Sequence, residues 1–358
     1  MRKRVGAIRA LGRKIGRPVK LMEVCGTHTM AAFRSGLRHL LPENVSLLSG
    51  PGCPVCVTPN EYLDRAIAIA EQSDTMVATF GDMVRVPGTR ESLETVRAGG
   101  ARIHVVYSPA EAVVFARENP GTRVVFLGVG FETTTPAIAW TIKEAAGNQV
   151  DNYSVLCGHK TIPRAMSALC AAGELDLDGF ICPGHVSIVI GADAYGPVCR
   201  ECGLPCVVTG FEAADMLQGV EMLLRQIAEN RSEVENQYTR CVRDKGNTTA
   251  LGLIEEVFEQ CDASWRGIGV IPGSGLKIRG CFAAHDADRV FEKISVPPGR
   301  ERSGCICGQV MRGIKTPHDC ALFGKACTPS QPVGACMVSS EGTCAAYYKY
   351  ARKNGDME

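Results

Sequence analysis

The sequence of 358 residues lacks the features that mark membrane, nucleic-acid-binding and exported proteins. It has no apolar run of the roughly 18 residues that a membrane-spanning helix needs. Its formal net charge is +1, so it offers no general basic surface for nucleic acid. The basic start "MRKRVGAIRALGRKIGR" is not followed by the apolar segment of a secretory signal. We therefore expect a cytoplasmic protein that binds neither membrane nor nucleic acid.

A dinucleotide-binding fingerprint is also missing. The loops "GVGFET" and "IPGSG" are rich in glycine, but neither completes G-x-G-x-x-G with an acidic residue at the right distance. Because the glycine loop and the acidic residue are what hold the cofactor, the sequence argues against a nucleotide-dependent dehydrogenase.

Cysteine, in contrast, is abundant, with 18 residues. A disulfide framework is typical of short secreted chains, whereas this chain is long and rich in apolar strand-like runs. In a reducing compartment, clustered thiols indicate metal binding, redox chemistry or catalysis. Isolated cysteines are more typical of inert core positions. The isolated ones are Cys157, Cys170, Cys241, Cys261 and Cys281.

Short apolar runs alternate with helix-like segments along the first two thirds of the chain. For example, "TMVATFG" precedes "RESLETVRAGG", and "RVVFLGVGFE" precedes "TPAIAWTIKEAAG". This alternation predicts parallel sheets covered by helices on both faces. The tripeptide Gly-Phe-Glu ends a predicted strand at both Gly130–Glu132 and Gly210–Glu212, which favours two similar halves.

The predicted fold class is therefore α/β, with two similar parallel-sheet domains and a small cysteine-rich C-terminal domain. After residue 231 the chain becomes rich in glycine and proline and loses its periodicity, so its order requires a covalent or metal staple. The predicted divisions are a basic N-terminal segment (1–19), a first α/β domain (20–139), a second α/β domain (140–231) and the C-terminal domain (232–358).

Six cysteines lie near the C-terminus. Structural zinc sites usually contain paired C-x2–4-C ligands, and here only Cys305 and Cys307 are close, with a single residue between them. The wide intervals suit an iron–sulfur cluster held by thiolates from several loops. Zinc and scattered core cysteines remain as alternatives. The six are Cys305, Cys307, Cys320, Cys327, Cys336 and Cys344.

Two further thiol motifs lie near the N-terminus. "GPGCPVC" carries a C-x-x-C pair, Cys53 and Cys56, whose spacing permits a disulfide or metal ligation. "EVCGTHT" places Cys25 at the end of a predicted strand, where open α/β sheets gather their sites. We interpret His28 as a base, a hydrogen-bond donor or an orienting partner for that thiolate.

Other loops at predicted strand ends carry polar side chains that are candidates for lining a cleft. Thr133 among them is also an ordinary helix N-cap. The motif "CRECGLPC" could bind metal through Cys199, Cys202 and Cys206, but it lacks an obvious fourth ligand. The candidate cleft residues are Asp82, Arg85, Glu132, Thr133, His185 and Glu212.

Together these motifs resemble the HypD family of hydrogenase maturation proteins. The resemblance extends from about residue 20 to residue 350 and departs from the family pattern at "GFEAAD", where proline would follow the glutamate. It implies assembly of the Fe(CN)2CO unit of NiFe-hydrogenase, together with the small partner HypC and with HypE as the source of cyanide. The matching motifs are "EVCGTHT", "GPGCPVCVTP", "TFGDMVRVPG", "GFETTTP", "PGHVS", "WRGIGVIPGSGL" and "GACMVSSEGTCAAYYKY".

The resemblance also implies roles for the cysteines. Cys25 would hold the iron unit together with a cysteine of the partner, and Cys53 and Cys56 would form a redox-active pair between cluster and iron. A 4Fe-4S cluster would lie in the C-terminal domain, with either Cys305 or Cys307 as its first ligand and Cys336 as a nearby alternative. The family spacing C-x14-C-x6-C-x16-C falls on Cys305, Cys320, Cys327 and Cys344.

The sequence thus favours an assembly scaffold with a redox function rather than an enzyme that turns over a substrate alone. The rival hypothesis is a thiol–disulfide oxidoreductase that uses Cys53 and Cys56 and carries a structural zinc near its C-terminus.

Overall fold

The computed structural model describes residues 1–173 and 176–351 and contains two parallel sheets. Sheet A has the strand order β2-β1-β7-β8-β9, and sheet B has the order β4-β3-β5-β6. The predicted α/β class with parallel sheets is confirmed. The strands are β1 Val19–Glu23, β2 Val45–Ser49, β3 Thr75–Thr79, β4 Arg102–Val105, β5 Arg123–Gly128, β6 Tyr153–Cys157, β7 Gly179–Pro183, β8 Cys206–Thr209, β9 Val234–Asn236, β10 Phe258–Trp265 and β11 Gly269–Ile278.

Helices cover both faces of the sheets, as parallel connections require. Short 3-10 turns at Leu37–Leu40, Asp193–Tyr195, Gly280–His285 and Pro317–Asp319 complete the connections. The helices are α1 Arg2–Ile15, α2 Gly26–Arg34, α3 Pro54–Val57, α4 Asn60–Ala70, α5 Gly81–Val84, α6 Leu93–Ala98, α7 Pro109–Glu118, α8 Thr135–Gly147, α9 Ile162–Ala171, α10 Gly184–Ile190, α11 Gly196–Cys202, α12 Ala213–Ala228, α13 Thr248–Val257, α14 Ala287–Val290, α15 Cys307–Met311, α16 Ala335–Val338 and α17 Thr343–Tyr350.

The predicted boundary at residues 139/140 does not separate the two sheets. Strand β1 pairs with β7 in sheet A, with Leu21 opposite Gly179, although the two strands lie in different predicted domains. Strand β6, from the predicted second domain, pairs with β5 in sheet B. A strand is recognisable from its own apolar residues, whereas its partner depends on packing between distant segments, which a local pattern does not encode.

The core of sheet A lies on both of its faces. On one face α1 and α12 pack together, and Ile8 and Leu217 meet the strand residues Leu21 and Val207. On the other face α9 and α11 cover the sheet. Burial of each such aliphatic side chain contributes roughly 1.5–3 kcal/mol, so the sheet provides a rigid frame for the loops at its ends.

The two Gly-Phe-Glu corners occupy equivalent places in the two sheets. Gly130–Glu132 lies between β5 and α8, and Gly210–Glu212 lies between β8 and α12. A Cβ atom on Gly130 would lie 1.7 Å from Oγ1 of Thr134, and one on Gly210 would lie 2.2 Å from Oδ2 of Asp215. In both corners the glycine leaves room for the start of the next helix, which accounts for the glycine of the repeated tripeptide.

The cysteine-rich C-terminal segment (residues 295–351) contains only short helices and lies against the strand-end loops. Helix α17 packs against α2, and α16 packs against α3. The antiparallel β10–β11 hairpin connects this segment to the sheets. Gly267 and Gly308 touch so closely that a Cβ on Gly267 would lie 2.2 Å from the Cα of Gly308. The segment is therefore held next to the N-terminal thiol motifs.

The isolated cysteines differ in part from the prediction of inert core positions. Cys170 forms a disulfide with Cys202, and Cys241 and Cys281 are exposed. The prediction fails for Cys170 because its partner lies 32 positions away on another helix, a distance that the motif spacing does not reveal.

Within residues 1–173 and 176–351, no helix has both the length and the apolar character that crossing a membrane requires.

Candidate functional site

Cys25 lies where β1 ends and α2 begins. Its extended backbone makes it the N-cap of α2, and the Gly26 N–H donates to the Gly52 carbonyl oxygen at 3.0 Å. A Cβ atom on Gly52 would lie 2.2 Å from the Cys25 backbone nitrogen, and one on Gly26 would lie 2.3 Å from the Glu341 carbonyl oxygen. The two glycines therefore let three distant loops converge on the half-buried Cys25 thiol.

The thiol faces a cavity of about 370 Å3, which we call the cleft. The cleft lies between the carboxyl ends of strands from both sheets, the usual place for sites in parallel α/β proteins. It combines a few polar groups with an apolar wall, as ligand pockets commonly do. Its lining residues are Cys25, Thr27, Gly52, Pro54, Val55, Phe80, Asp82, Met83, Val129, Phe131, Thr133, Thr134, Pro183, His185, Val186 and Glu341.

Half of the candidate cleft residues take the predicted place. Asp82, Thr133 and His185 line the cleft and are exposed at its surface. The imidazole of His185 packs on the ring of Phe211, with centroids 4.0 Å apart. The three side chains surround the space in front of Cys25, and their roles there remain predictions.

Arg85, Glu132 and Glu212 do not line the cleft, contrary to the prediction. Arg85 donates to the carbonyl oxygens of Pro329 and Ser330, which ties α5 to the C-terminal segment. Glu212 is the N-cap of α12 and faces a separate cavity.

Glu132 is turned inward instead. Its Oε1 accepts the Ile162 N–H at 3.0 Å, so the carboxyl caps the start of α9. Burial raises the pKa of Glu132 to about 7. A strand-end position alone does not reveal whether a side chain faces the cleft or the next helix, which explains the three errors.

The environment of Cys25 favours the protonated thiol. Burial, and then the nearby Glu341 carboxylate, raise the pKa of Cys25 to about 11, although N–H groups of the loop partly oppose this. Thr27 Oγ1 donates to Glu341 Oε1 at 2.7 Å and so fixes the carboxylate beside the thiol. A cation that binds Cys25 must therefore displace a proton, and its affinity rises with pH.

We predict that Glu341→Gln accelerates alkylation of Cys25 by iodoacetamide at pH 8 about 3- to 10-fold in the metal-free protein. Loss of the negative charge lowers the pKa of Cys25 and increases the thiolate fraction, while the amide oxygen can still accept from Thr27. In the wild-type chain the rate should rise about tenfold per pH unit between pH 7 and 9, below the pKa. Asp82→Asn is the matched control, because it removes a carboxylate from the same cleft. Equal rates in the two variants would contradict the role of Glu341.

His28 lies beneath the Cys25 loop and does not line the cleft. Its Nε2–H donates to the Gly210 carbonyl oxygen at 3.1 Å, and Nε2 lies 2.9 Å from Oγ1 of Thr209. The carbonyl can only accept, so Nδ1 is unprotonated, and it has no hydrogen-bond partner. The ring stacks on Phe211 at 4.6 Å.

Burial, moreover, lowers the pKa of His28 to about 4. The histidine is therefore a weak base. Among the roles that the sequence suggests for His28, this arrangement fits orientation of the Cys25 loop. The backbone N–H of His28, and not its imidazole, reaches the Cys25 sulfur.

Two acidic groups near Cys25 are absent from the candidates named by sequence. Glu341 lies 314 positions after its partner Thr27. Glu23 is fully buried, where Arg38 pairs with it at 3.1 Å and Thr29 donates to it at 2.8 Å. The sequence "SSEGTC" marks Glu341 only as a polar residue between the last two cysteines, so chain folding alone reveals its position.

Cys53 and Cys56 form a disulfide at the start of α3. Both residues are buried, at 6% and 0% exposure, and the Cys56 N–H donates to the Cys53 sulfur at 3.1 Å. One wall of the cleft is formed by Gly52, which precedes Cys53, and by Pro54 and Val55, which lie between the two cysteines. The pair is thus close to the iron-binding candidate and shielded from solvent.

All six C-terminal cysteines line one apolar pocket, which we call the cysteine pocket. The remaining lining residues are mainly apolar, such as Leu322, Phe323 and Met337. Within residues 1–173 and 176–351, no three His, Cys, Asp or Glu side chains already form a ligand arrangement. A bound metal group would require the thiols to turn towards it.

The donors of the cysteine pocket fit an iron–sulfur cluster in their chemistry. Soft thiolates surrounded by apolar residues are the usual ligands of such clusters. Burial raises the pKa of Cys344, and the thiols of Cys307, Cys305, Cys327 and Cys320 raise it further, which shows how closely these groups crowd together.

Within the cysteine pocket, Cys307 and Cys336 contact each other. Their sulfur atoms are 3.7 Å apart and both side chains are buried. Cys305, in contrast, is half-buried. Cys305 also contacts Cys307, so its greater exposure alone favours it as the more available thiol of the two.

The cysteine pocket and the Cys53–Cys56 disulfide belong to one packed unit. Helix α16, which carries Cys336, packs on α3. Arg266 bridges them, since its backbone N–H donates to the Val57 carbonyl oxygen at 2.8 Å. Its charge only partly opposes the neighbouring thiols and the burial that raise the pKa of Cys307 and of Cys336. The Cys53–Cys56 disulfide therefore lies between the thiols of the cysteine pocket and the Cys25 thiol in the cleft.

Comparison with known proteins identifies the family of this chain. A family model described as "HypD: Hydrogenase formation hypA family" matches residues 1–351. The hydrogenase maturation factor HypD of Azotobacter vinelandii is 50% identical over 344 residues, which cover 94% of this chain and 90% of that protein. HypD of Rhodobacter capsulatus is 48% identical, with 95% and 91% covered, and HypD of Escherichia coli K12 is 45% identical, with 95% and 91% covered. The chain belongs to the HypD family of hydrogenase maturation factors.

Proposed function

We propose that the protein is a scaffold on which the Fe(CN)2CO unit of NiFe-hydrogenase is assembled. The observation that carries this proposal is the position of Cys25, whose thiol faces the cleft while the C-x-x-C segment forms the neighbouring wall. Iron with cyanide and carbonyl ligands is a soft centre that prefers thiolate donors. The cleft supplies one such donor, and HypC, the partner that we infer, would supply another.

In this mechanism Cys25 loses its proton when it binds the iron substrate. The His28 N–H and the fixed loop orient the sulfur. The Glu341 carboxylate lines the same cleft and is the proposed acceptor of the released proton. Phe80, Val129 and Phe131 exclude water from the apolar side of the cleft. The cyanide ligands would come from HypE, which must reach the same open cleft.

The cofactor that we propose is a 4Fe-4S cluster held by Cys305, Cys320, Cys327 and Cys344. Such a cluster, when bound, exchanges single electrons. Opening the Cys53–Cys56 disulfide takes up two electrons and two protons and gives two thiols, and the reverse step returns them. The packing of α16 on α3 supports a path between the two groups.

The proposed location is the cytoplasm. Of the 18 cysteines, four are in disulfides and the others are free thiols, as expected where thiols are kept reduced.

We predict that Cys53 and Cys56 titrate as a pair and that Cys53→Ser or Cys56→Ser each stops hydrogenase maturation. A single serine leaves one thiol that can no longer close the disulfide, so two-electron exchange is lost. Differential alkylation followed by peptide mass spectrometry measures the pairing, and hydrogenase activity in a deletion strain measures maturation.

Cys157 is the internal control of that experiment. Its Sγ donates to the Leu276 carbonyl oxygen at 3.0 Å, and burial raises its pKa to about 12, so it should stay unlabelled in the native protein. Full maturation by both serine variants would remove the disulfide from the mechanism.

A further inference from the structure

The Cys170–Cys202 disulfide joins two helices on one face of sheet A. Cys170 lies in the last turn of α9, and Cys202 is the last residue of α11. Both residues are partly exposed, in contrast to Cys53 and Cys56, which are buried. The two disulfides of the described chain therefore differ in their access to solvent.

The disulfide opens onto a solvent-facing cavity of about 350 Å3. Ile271 and Pro272 of β11 form an apolar side of this cavity, and Arg164 lies on its rim. Ser167 Oγ donates to Glu201 Oε2 at 2.6 Å and links α9 to α11 beside the disulfide. The sulfur atoms thus lie in a concave surface that can admit a thiol group from another molecule.

The thiols behind this disulfide are closed to solvent. Cys199 precedes Cys202 by one helical turn in the motif "CREC" and is buried. Its thiol contacts Cys206, and this contact together with burial raises the pKa of Cys199. Cys206 in turn contacts Cys182 on β7. Cys199 is therefore a poor nucleophile, so exchange at the disulfide is directed outward.

We propose that Cys170 and Cys202 form a second thiol–disulfide exchange site, whose substrate is an external dithiol. A thiolate of the dithiol attacks one sulfur of the pair, and the other sulfur leaves and takes up a proton. The second thiol of the reductant then closes its own disulfide and releases the remaining cysteine as a thiol. Two electrons and two protons pass from the dithiol to the pair.

Opening this disulfide is expected to loosen α9 at one end only. The start of α9 stays attached, because Glu132 Oε1 accepts the Ile162 N–H at 3.0 Å and the Thr161 N–H donates to the Ser274 carbonyl oxygen at 2.8 Å. The last turn loses its covalent link to α11. Intracellular disulfides are often transient and redox-sensing, so the site couples thermal stability to the redox state of the surroundings.

The test uses the full chain, isolated without oxygen and then treated with thioredoxin, thioredoxin reductase and NADPH, or with glutathione alone. Differential alkylation and mass spectrometry then identify the free thiols. We expect thioredoxin to free Cys170 and Cys202 together, while Cys53 and Cys56 stay paired because they are buried and Cys199 stays unlabelled. Equal opening by glutathione alone would contradict the assignment to a dithiol, because a monothiol has no second thiol that could close its own disulfide.

Thermal unfolding supplies the second readout. Reduction should lower the melting temperature by about 3 °C or more, and the Cys170→Ser/Cys202→Ser variant should show the lower value without a further shift on reduction. The proposal is overturned if Cys170 and Cys202 do not pair even after mild oxidation of the isolated protein, or if their disulfide opens only after denaturation. Because neither residue lines the cleft or the cysteine pocket, both results leave the proposed scaffold function untouched.

Discussion

Replacement of Cys320 or Cys327 by alanine is expected to remove the cluster and to unfold the C-terminal segment locally. The segment has helices of five, four and eight residues at α15, α16 and α17, so little regular structure supports it. Cys320 Sγ lies 3.8 Å from the Gly304 carbonyl oxygen, and Cys327 Sγ accepts the Val333 N–H at 3.4 Å. These contacts are weak compared with structural metal binding, which contributes on the order of 10 kcal/mol to small domains.

The measurement combines iron analysis of the anaerobic protein with limited proteolysis. We expect both variants to lose their iron and to be cleaved rapidly after residue 295, while the sheets stay intact. Cys281→Ala is the matched control, since Cys281 is a free, exposed cysteine outside the cysteine pocket. A Cys320 or Cys327 variant with four irons per chain and normal protease resistance would show that the ligand assignment is wrong.

Cys25→Ala is expected to keep the cluster and to lose the iron–cyanide unit. Cys25 lies in the cleft, whereas the proposed cluster ligands line the cysteine pocket, so the two losses should separate. Changes to groups that only orient a metal ligand typically lower metal affinity or activity about 10- to 100-fold. Loss of the ligand itself should cost more, and we expect at least about a 100-fold decrease in retained iron–cyanide bands.

His28→Ala is the informative comparison. Its ring contacts Gly210 and Phe211 beneath the loop rather than the cleft, so we expect a smaller decrease of about 10- to 100-fold. Infrared bands of wild-type intensity in the Cys25 variant, at normal protein stability, would rule out Cys25 as the iron ligand.

The sequence predicts the elements of the fold better than their assembly. The apolar runs before the Gly-Phe-Glu corners are indeed β5 and β8, and the helix expected after the first corner begins at Thr135. The pairing of β1 with β7, however, joins segments more than a hundred residues apart, with Leu21 opposite Gly179. Local periodicity does not identify such partners. The predicted boundary at residues 139/140 therefore assigns paired strands of each sheet to different domains.

The candidate site shows the same limit. The sequence could predict three of the cleft residues, because the strand ends of a parallel sheet meet at one edge. These residues are Asp82, Thr133 and His185. Glu341 was not, since only the packing of the C-terminal segment brings its carboxylate to Thr27. The Cys170–Cys202 disulfide depends in the same way on the contact between α9 and α11.

The most direct test is infrared spectroscopy of the protein copurified anaerobically with HypC from cells that contain the other maturation factors. If the cleft carries the Fe(CN)2CO unit, the complex should show cyanide and carbonyl bands, and the Cys25→Ala complex, formed in equal amount and with its cluster retained, should lack them. A wild-type complex with normal stoichiometry and a full cluster but no such bands would contradict the scaffold function.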